Sequence, residues 1–217
     1  MVGVAANQSM PASAAQYGIQ VLKPFSRPKC SENTDAMSHD RRIGYYELFK
    51  IHKGCHTIEP ESLIIEPFTH INLAFVNFGD DFKLEDEYGD IVDRVSFSKF
   101  THPGLRVNIA VGGWMLNDAP TQHLWTQMAR SYENRQIIIN SVVKYLKDYY
   151  LDGIDIDWEY PSASDKGGEP QDAANFVTLL GELREAFDRD NPGWEISPTL
   201  PTSYSYLRGF DPAGMAK

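Results

Sequence analysis

The chain has 217 residues, 42% hydrophobic, 23% charged and 12% aromatic, an ordinary globular composition with enough apolar material for one substantial core. Its formal net charge of -10, from 30 acidic and 20 basic residues, argues against a nucleic-acid partner and fits a neutral or cationic substrate. No stretch approaches the roughly 20 apolar residues needed to cross a bilayer, so no membrane partner is expected.

Residues 1 to about 40 are rich in Ala, Ser, Gln, Pro and Asn without sustained periodicity, and read as a disordered tail or linker. The opening residues Met1 to Met10 lack the basic start and long apolar run of a secretory signal, so export would require a signal upstream. Cys30 and Cys55 sit among loop-like residues at either side of one hydrophobic segment. In an oxidising compartment a disulfide would close that segment; two free thiols are the plain alternative. His52, Cys55 and His56 cluster, but no second ligand pair at a zinc-like spacing accompanies them, so neither metal nor other cofactor is expected.

Order begins at Arg42-Ile-Gly-Tyr-Tyr46, a short apolar and aromatic run typical of a buried strand. Further strands are expected over residues 71–78, 106–112, 153–157 and 195–200, each short, rich in β-branched or aromatic residues, and bounded by Gly, Pro or polar residues. A helix is expected from about Asn134 to Tyr149, with Ile137, Ile138, Val142, Tyr145, Leu146 and Tyr149 as its apolar stripe. Another is expected from about Asp172 to Phe187, through Phe176, Leu179, Leu180 and Leu183. Strands alternating with helices imply an α/β fold with a parallel sheet. A doubly wound sheet and a (β/α)8 TIM barrel both fit the pattern. Polar and glycine residues at the strand ends, such as Asn77, Gly112-Gly113-Trp114 and Glu159-Tyr160, favour the barrel. A full barrel takes eight units and about 250 residues. Residues 41–217 are therefore expected to be its N-terminal portion, a truncated fragment of about five strands. An unpaired fifth strand would leave the isolated chain unstable, aggregation-prone or oligomeric.

The chemistry concentrates in Asp152-Gly-Ile-Asp-Ile-Asp-Trp-Glu-Tyr160. Strand alternation puts Asp155, Asp157 and Glu159 on one face, with Ile154, Ile156 and Trp158 on the other. A file of carboxyls roughly 6.6 Å apart inside a protein cannot all ionise at neutral pH, because repulsion and desolvation force them to share protons. Glu159, last in the file and nearest the mouth, suits a general acid. A solvated edge strand or a calcium loop would also carry alternate acids. The isoleucines between them and the lack of a central glycine speak against calcium.

The run Asp152-Gly-Ile-Asp-Ile-Asp-Trp-Glu159 resembles the Asp-x-x-Asp-x-Asp-x-Glu signature of glycoside hydrolase family 18, the chitinases and their relatives. Support runs from about Arg42 to the end. Gly44-Tyr-Tyr46 and Thr69-His-Ile-Asn-Leu-Ala-Phe75 are similar to the first two strands, and Ala110-Val-Gly-Gly-Trp114 to the third-strand Ser-x-Gly-Gly motif, with alanine in place of serine. The stretch Ser203-Tyr-Ser-Tyr-Leu-Arg-Gly-Phe210 resembles the segment after the fifth strand of multidomain fungal chitinases.

This resemblance implies a retaining, substrate-assisted endo-hydrolysis of β-1,4-linked N-acetylglucosamine polymers, with chitin or chitooligosaccharides as partner and an extracellular location. Glu159 would be the acid, Asp157 would hold the acetamido group, and Asp155 would share a proton with Asp157. Asp152, on the other parity at the strand's start, would be structural. Tyr160, Trp114, Tyr45 and Phe75 are candidate sugar-contacting rings, with Gly112 and Gly113 beside them. The family's sixth and eighth strands supply further substrate contacts that cannot lie in these 217 residues, so the isolated chain is expected to be inactive or nearly so. A non-catalytic chitin-binding lectin and an endo-β-N-acetylglucosaminidase are the alternatives, the intact Glu159 favouring an enzyme.

Overall fold

The computed structural model describes residues 41–52 and 58–216. The expected 1–40 tail, the Cys30–Cys55 pairing and the cluster around Cys55 and His56 lie outside the described residues.

Five strands form one sheet: β1 Ile43–Glu47, β2 His70–Val76, β3 Arg106–Gly112, β4 Gly153–Asp157 and β5 Glu195–Pro198. Each pairs in parallel with the next in sequence, giving the order β1-β2-β3-β4-β5. That order separates the two architectures compatible with the pattern. A doubly wound sheet reverses direction at a switch point, whereas a barrel lays each strand beside the last. The fold is of the TIM-barrel class, with five strands among the described residues.

The helices are α1 Gly89–Ser96 and α2 Ser98–Thr101 after β2, and α3 Leu124–Arg130 and α4 Tyr132–Asp148 after β3. After β4 comes α5 Asp172–Asp190, and after β5 the short α6 Tyr204–Leu207 and α7 Pro212–Met215. Ser131 starts α4 by accepting the Asn134 backbone N–H, satisfying one of the donors that a helix start leaves free. The two long helices fall where the apolar spacing puts them. Ile137 is the exception in α4: it faces outward, and Ile139 takes its place in the core, because the buried stripe runs through Ile138, Ile139, Val142, Tyr145 and Leu146. The shorter α1 and α3 carry too few turns for a periodic signal, and the sequence pattern did not indicate them.

The register divides the sheet into two faces. On the outer one, Val107, Ile109 and Val111 of β3 lie beside Ile154 and Ile156 of β4. Ile154 and Ile156 meet Trp125 and Met128 of α3, Ile138 and Val142 of α4, and Leu179 and Leu183 of α5 around a gap of only about 20 Å³. Trp158 continues this face, stacked on Trp125 at 5.5 Å and edge-on to Phe176 at 5.4 Å. The apolar parity of the acidic segment thus anchors β4 to three helices, and the acids can point only the other way.

The inner face is polar. Glu47, Ala74, Ala110, Asp155 and Ser197 occupy one level across the five strands, and Tyr45, Asn72, Asn108, Gly153 and Glu195 the level two residues nearer the strand starts. Nearer the strand starts, Glu195 lies 3.0 Å from His70 Nε2, 3.3 Å from Arg106 Nε and 3.4 Å from Arg41. One carboxylate therefore joins β2, β3 and the entry to β1 from β5.

Candidate active site

β4 delivers three carboxyls along its inner face, and β1 and β5 supply the groups that hold them. Asp155 is 3% exposed. Its Oδ2 accepts the Tyr45 hydroxyl at 2.7 Å and its Oδ1 the Ser197 hydroxyl at 2.5 Å. Burial raises its pKa, with the Ser197, Tyr45 and Asn72 hydrogen bonds acting in opposition. Asp157 is 8% exposed and accepts the Thr199 hydroxyl at 2.6 Å. Burial raises its pKa too, and the neighbouring Asp155 charge adds to the rise while Thr199 reduces it.

Glu159 stands beyond the end of β4. Burial first, then the charge of Asp157 and a hydrogen bond shared with it, push its pKa up from 4.5 to about 7; Lys166 pulls in the opposite direction. Its Oε2 is buried and has no hydrogen-bond partner. A carboxyl in this state is half protonated near neutrality and has one oxygen uncommitted, which are the two properties a general acid requires.

The third strand comes close to this row because it carries no side chains at its end. Gly112 has φ +111° and Gly113 φ +77°, conformations that side-chain-bearing residues rarely adopt. A Cβ on Gly112 would lie 2.3 Å from the Asp157 carbonyl oxygen, and one on Gly113 would lie 2.7 Å from the Phe75 ring. With both glycines, the Gly113 N–H donates to the Asp157 carbonyl at 3.0 Å. Asn117 donates to the same carbonyl at 3.0 Å and to that of Gly113 at 2.8 Å, so β3, β4 and the following loop are tied beside the acids. Phe75 reaches this spot through a register slip between Ala74 and Val76, which leaves it without a partner on β3.

The remaining expected residues separate into two groups. Tyr160 follows the acid and stacks on Tyr206 of α6, with centroids 4.2 Å apart. Trp114 is 54% exposed just after the glycines, and Tyr45 has an open ring while its hydroxyl is held by Asp155. Asp152 lies at the other end of β4. Its Oδ2 accepts the Val107 backbone N–H at 2.8 Å and the Lys99 ammonium at 2.9 Å, contacts that join β4 to β3 and α2. Ser197 and Thr199 were absent from the expected site. Their signal was available, since they share the polar parity of Glu195-Ile-Ser-Pro-Thr199, but only the sheet register shows that they meet the aspartates.

A cavity of about 660 Å³ lies elsewhere, against α5, β5 and α7, and is lined mainly by apolar residues such as Val177, Leu180 and Ile196. None of the three acids lines it, so volume alone is a poor guide to the chemistry here. Among the described residues no group of three His, Cys, Asp or Glu side chains could hold a metal ion.

Residues 41–216 match the family described as Glycosyl hydrolases family 18. An endochitinase of Manduca sexta is 33% identical over 183 residues, covering 80% of this chain and 32% of that protein. A probable chitinase, LysM18, of Penicillium expansum is 29% identical over 183 residues, covering 82% of this chain and 12% of that protein. The crystal structure of the Group IV chitinase of Ostrinia furnacalis superposes with a TM-score of 0.71 at 26% identity, over 80% of this chain and 47% of that one. The chain thus spans about a third or less of these curated relatives and about half of the solved structure.

Proposed function

The chain belongs to family 18 of the glycosyl hydrolases, and from that premise we propose that it is the acid-bearing part of an enzyme that hydrolyses the β-1,4 bonds of chitin within the polymer, with Glu159 as the acid. The observation that carries this reading is the state of Glu159: a carboxyl held near half-protonation beside Asp157, with a free oxygen at the strand's end. Glu159 gives its proton to the glycosidic oxygen as the bond to the leaving sugar breaks. The 2-acetamido oxygen of the substrate attacks its own anomeric carbon, forming an oxazolinium ion. Asp157 accepts a hydrogen bond from the acetamido N–H and balances the positive charge that develops. Water, deprotonated by Glu159, then opens the ring with overall retention at the anomeric carbon.

Asp155 keeps Asp157 in place through the shared electrostatics of the row, itself fixed by Tyr45 and Ser197. Asp152 is a structural residue, distant from the chemistry. Tyr160, Trp114, Tyr45 and Phe75 provide rings for the sugars, and Gly112 and Gly113 let the groove floor approach Asp157. Residues 41–217 are the N-terminal portion of the catalytic barrel in this proposal, and an insoluble chitin substrate implies an enzyme outside the cell. The Cys30–Cys55 disulfide is part of the same proposal.

The test, made on a complete barrel that carries this chain, compares N-acetyl-chitohexaose with cellohexaose, which has the same linkage and lacks the acetamido group. Cleavage of the first alone supports a substrate-supplied nucleophile. Equal cleavage of both would sink that mechanism, and binding of chitohexaose without cleavage would indicate a lectin.

A further inference from the structure

The loop between β4 and α5 carries a lysine that the mechanism leaves unused. The Lys166 ammonium lies 3.4 Å from the centroid of the Trp114 ring and 3.4 Å from Asp118 Oδ1. Its side chain is only 10% exposed, while Trp114 is 54% exposed. The ammonium therefore sits on the protein side of the indole, and the open side of Trp114 is the one turned to solvent. A lysine covered in this way, held between a ring face and a carboxylate, is worth more than a solvated one because little water screens it.

The loop that carries it is firmly built. Asp172, fully buried at the start of α5, accepts the Thr126 hydroxyl at 2.9 Å and the backbone N–H groups of Glu169 and Ser162 at 2.7 and 3.2 Å. Thr126 belongs to α3, so one buried carboxylate fixes both ends of residues 162–169 to a helix behind β3. Within the loop, Ala163 accepts the Lys166 N–H at 2.9 Å and the Gly168 N–H at 2.8 Å. The position of Lys166 is consequently set by the fold.

We propose that Lys166 is a positioning residue that braces Trp114 from beneath and so fixes it as a sugar platform. The inference rests on the reading of Trp114 as a sugar-contacting ring and adds the group that holds it. Asp118, on the loop from β3, holds the ammonium in turn. The same ammonium opposes the rise that burial and Asp157 impose on Glu159, so the loop faces the acid as well as the ring. Loss of the ammonium would leave the platform loose.

Acrylamide quenching of the full chain gives the direct test, because Trp125, Trp158 and Trp194 are buried and Trp114 is the accessible tryptophan. Quenching should increase in Lys166→Met and stay near the parent's in Lys166→Arg. Binding of N-acetyl-chitohexaose, followed by the same fluorescence, should weaken several-fold in Lys166→Met and be restored in Lys166→Arg. Unmoved quenching in Lys166→Met, or unmoved binding, overturns the proposal. If Lys166→Met does not fold, the exposed Asp118→Asn takes its place, with increased quenching expected and unchanged quenching contradictory. Quenching needs no substrate, so absence of turnover by a complete barrel that carries this chain would defeat the hydrolase reading without deciding this one.

Discussion

The inner face of the sheet holds carboxylates at both ends, and they are treated in opposite ways. At the strand starts, Glu195 is surrounded by Arg41, Arg106 and His70. At the strand ends, Asp155, Asp157 and Glu159 stand in one file, held by the hydroxyls of Tyr45, Ser197 and Thr199, with Lys166 as the cation that acts on Glu159 among the described residues. The first arrangement compensates its charge and joins strands. The second leaves charge uncompensated, so protons must be retained where water would remove them, and proton transfer becomes available. Compensated charge is concentrated at one end of the strands and proton-retaining carboxyls at the other, the C-terminal end at which barrels place their sites.

The sharpest way to break this comparison is to remove the acid. Made in a complete barrel that carries this chain, Glu159→Gln preserves size and hydrogen-bonding capacity but cannot supply a proton, and turnover of chitooligosaccharide should fall by about 10²–10⁴-fold with the fold intact by circular dichroism. The reverse signature belongs to the opposite end. Glu195→Ala strands Arg106 and His70 without their carboxylate and should cost about 2–4 kcal/mol in denaturant unfolding, with the residual activity per folded molecule close to the parent's.

A smaller effect is expected beside the acids, just past the end of β5. Thr199→Val removes the hydroxyl that Asp157 accepts, so Asp157 binds its proton more tightly and balances positive charge less well. A loss of about tenfold in kcat is expected, the scale of one hydrogen bond to a charged group. The smallest effect is a change of slope. Glu159 has a folded pKa of about 7 against its ordinary 4.5. Between these values the folded protein retains a proton that the unfolded chain has released, so this group's contribution to stability is lost as pH rises from 4.5 to 7. Glu159→Gln cannot ionise and should lose that slope, melting slightly above the parent at pH 8, while their difference vanishes below pH 4.5.

Much of this was legible from alternation alone. The parity of Gly153-Ile-Asp-Ile-Asp-Trp-Glu159 separates the apolar face that packs on Trp125 and Phe176 from the acidic one, and each strand could be located by its composition. What sequence could not show is whatever depends on register or on contacts across the sheet. Ser197 and Thr199 become partners of the aspartates only because β5 pairs beside β4 with Ser197 opposite Asp155. Phe75 enters the site through a slip in β2 that no periodicity marks. The Glu195 cluster joins residues from Arg41 to Glu195, and the Lys166–Trp114 contact crosses two loops. In both cases each residue taken singly has the look of an ordinary surface charge.

The most direct test of the central claim is the stereochemistry of the product. N-acetyl-chitohexaose is incubated with a complete barrel that carries this chain and with its Glu159→Gln variant, and the anomers are resolved before they equilibrate. Products released as the β-anomer by the parent, and none above background by the variant, are the result this account predicts. Products released as the α-anomer, or undiminished cleavage by Glu159→Gln, would contradict it.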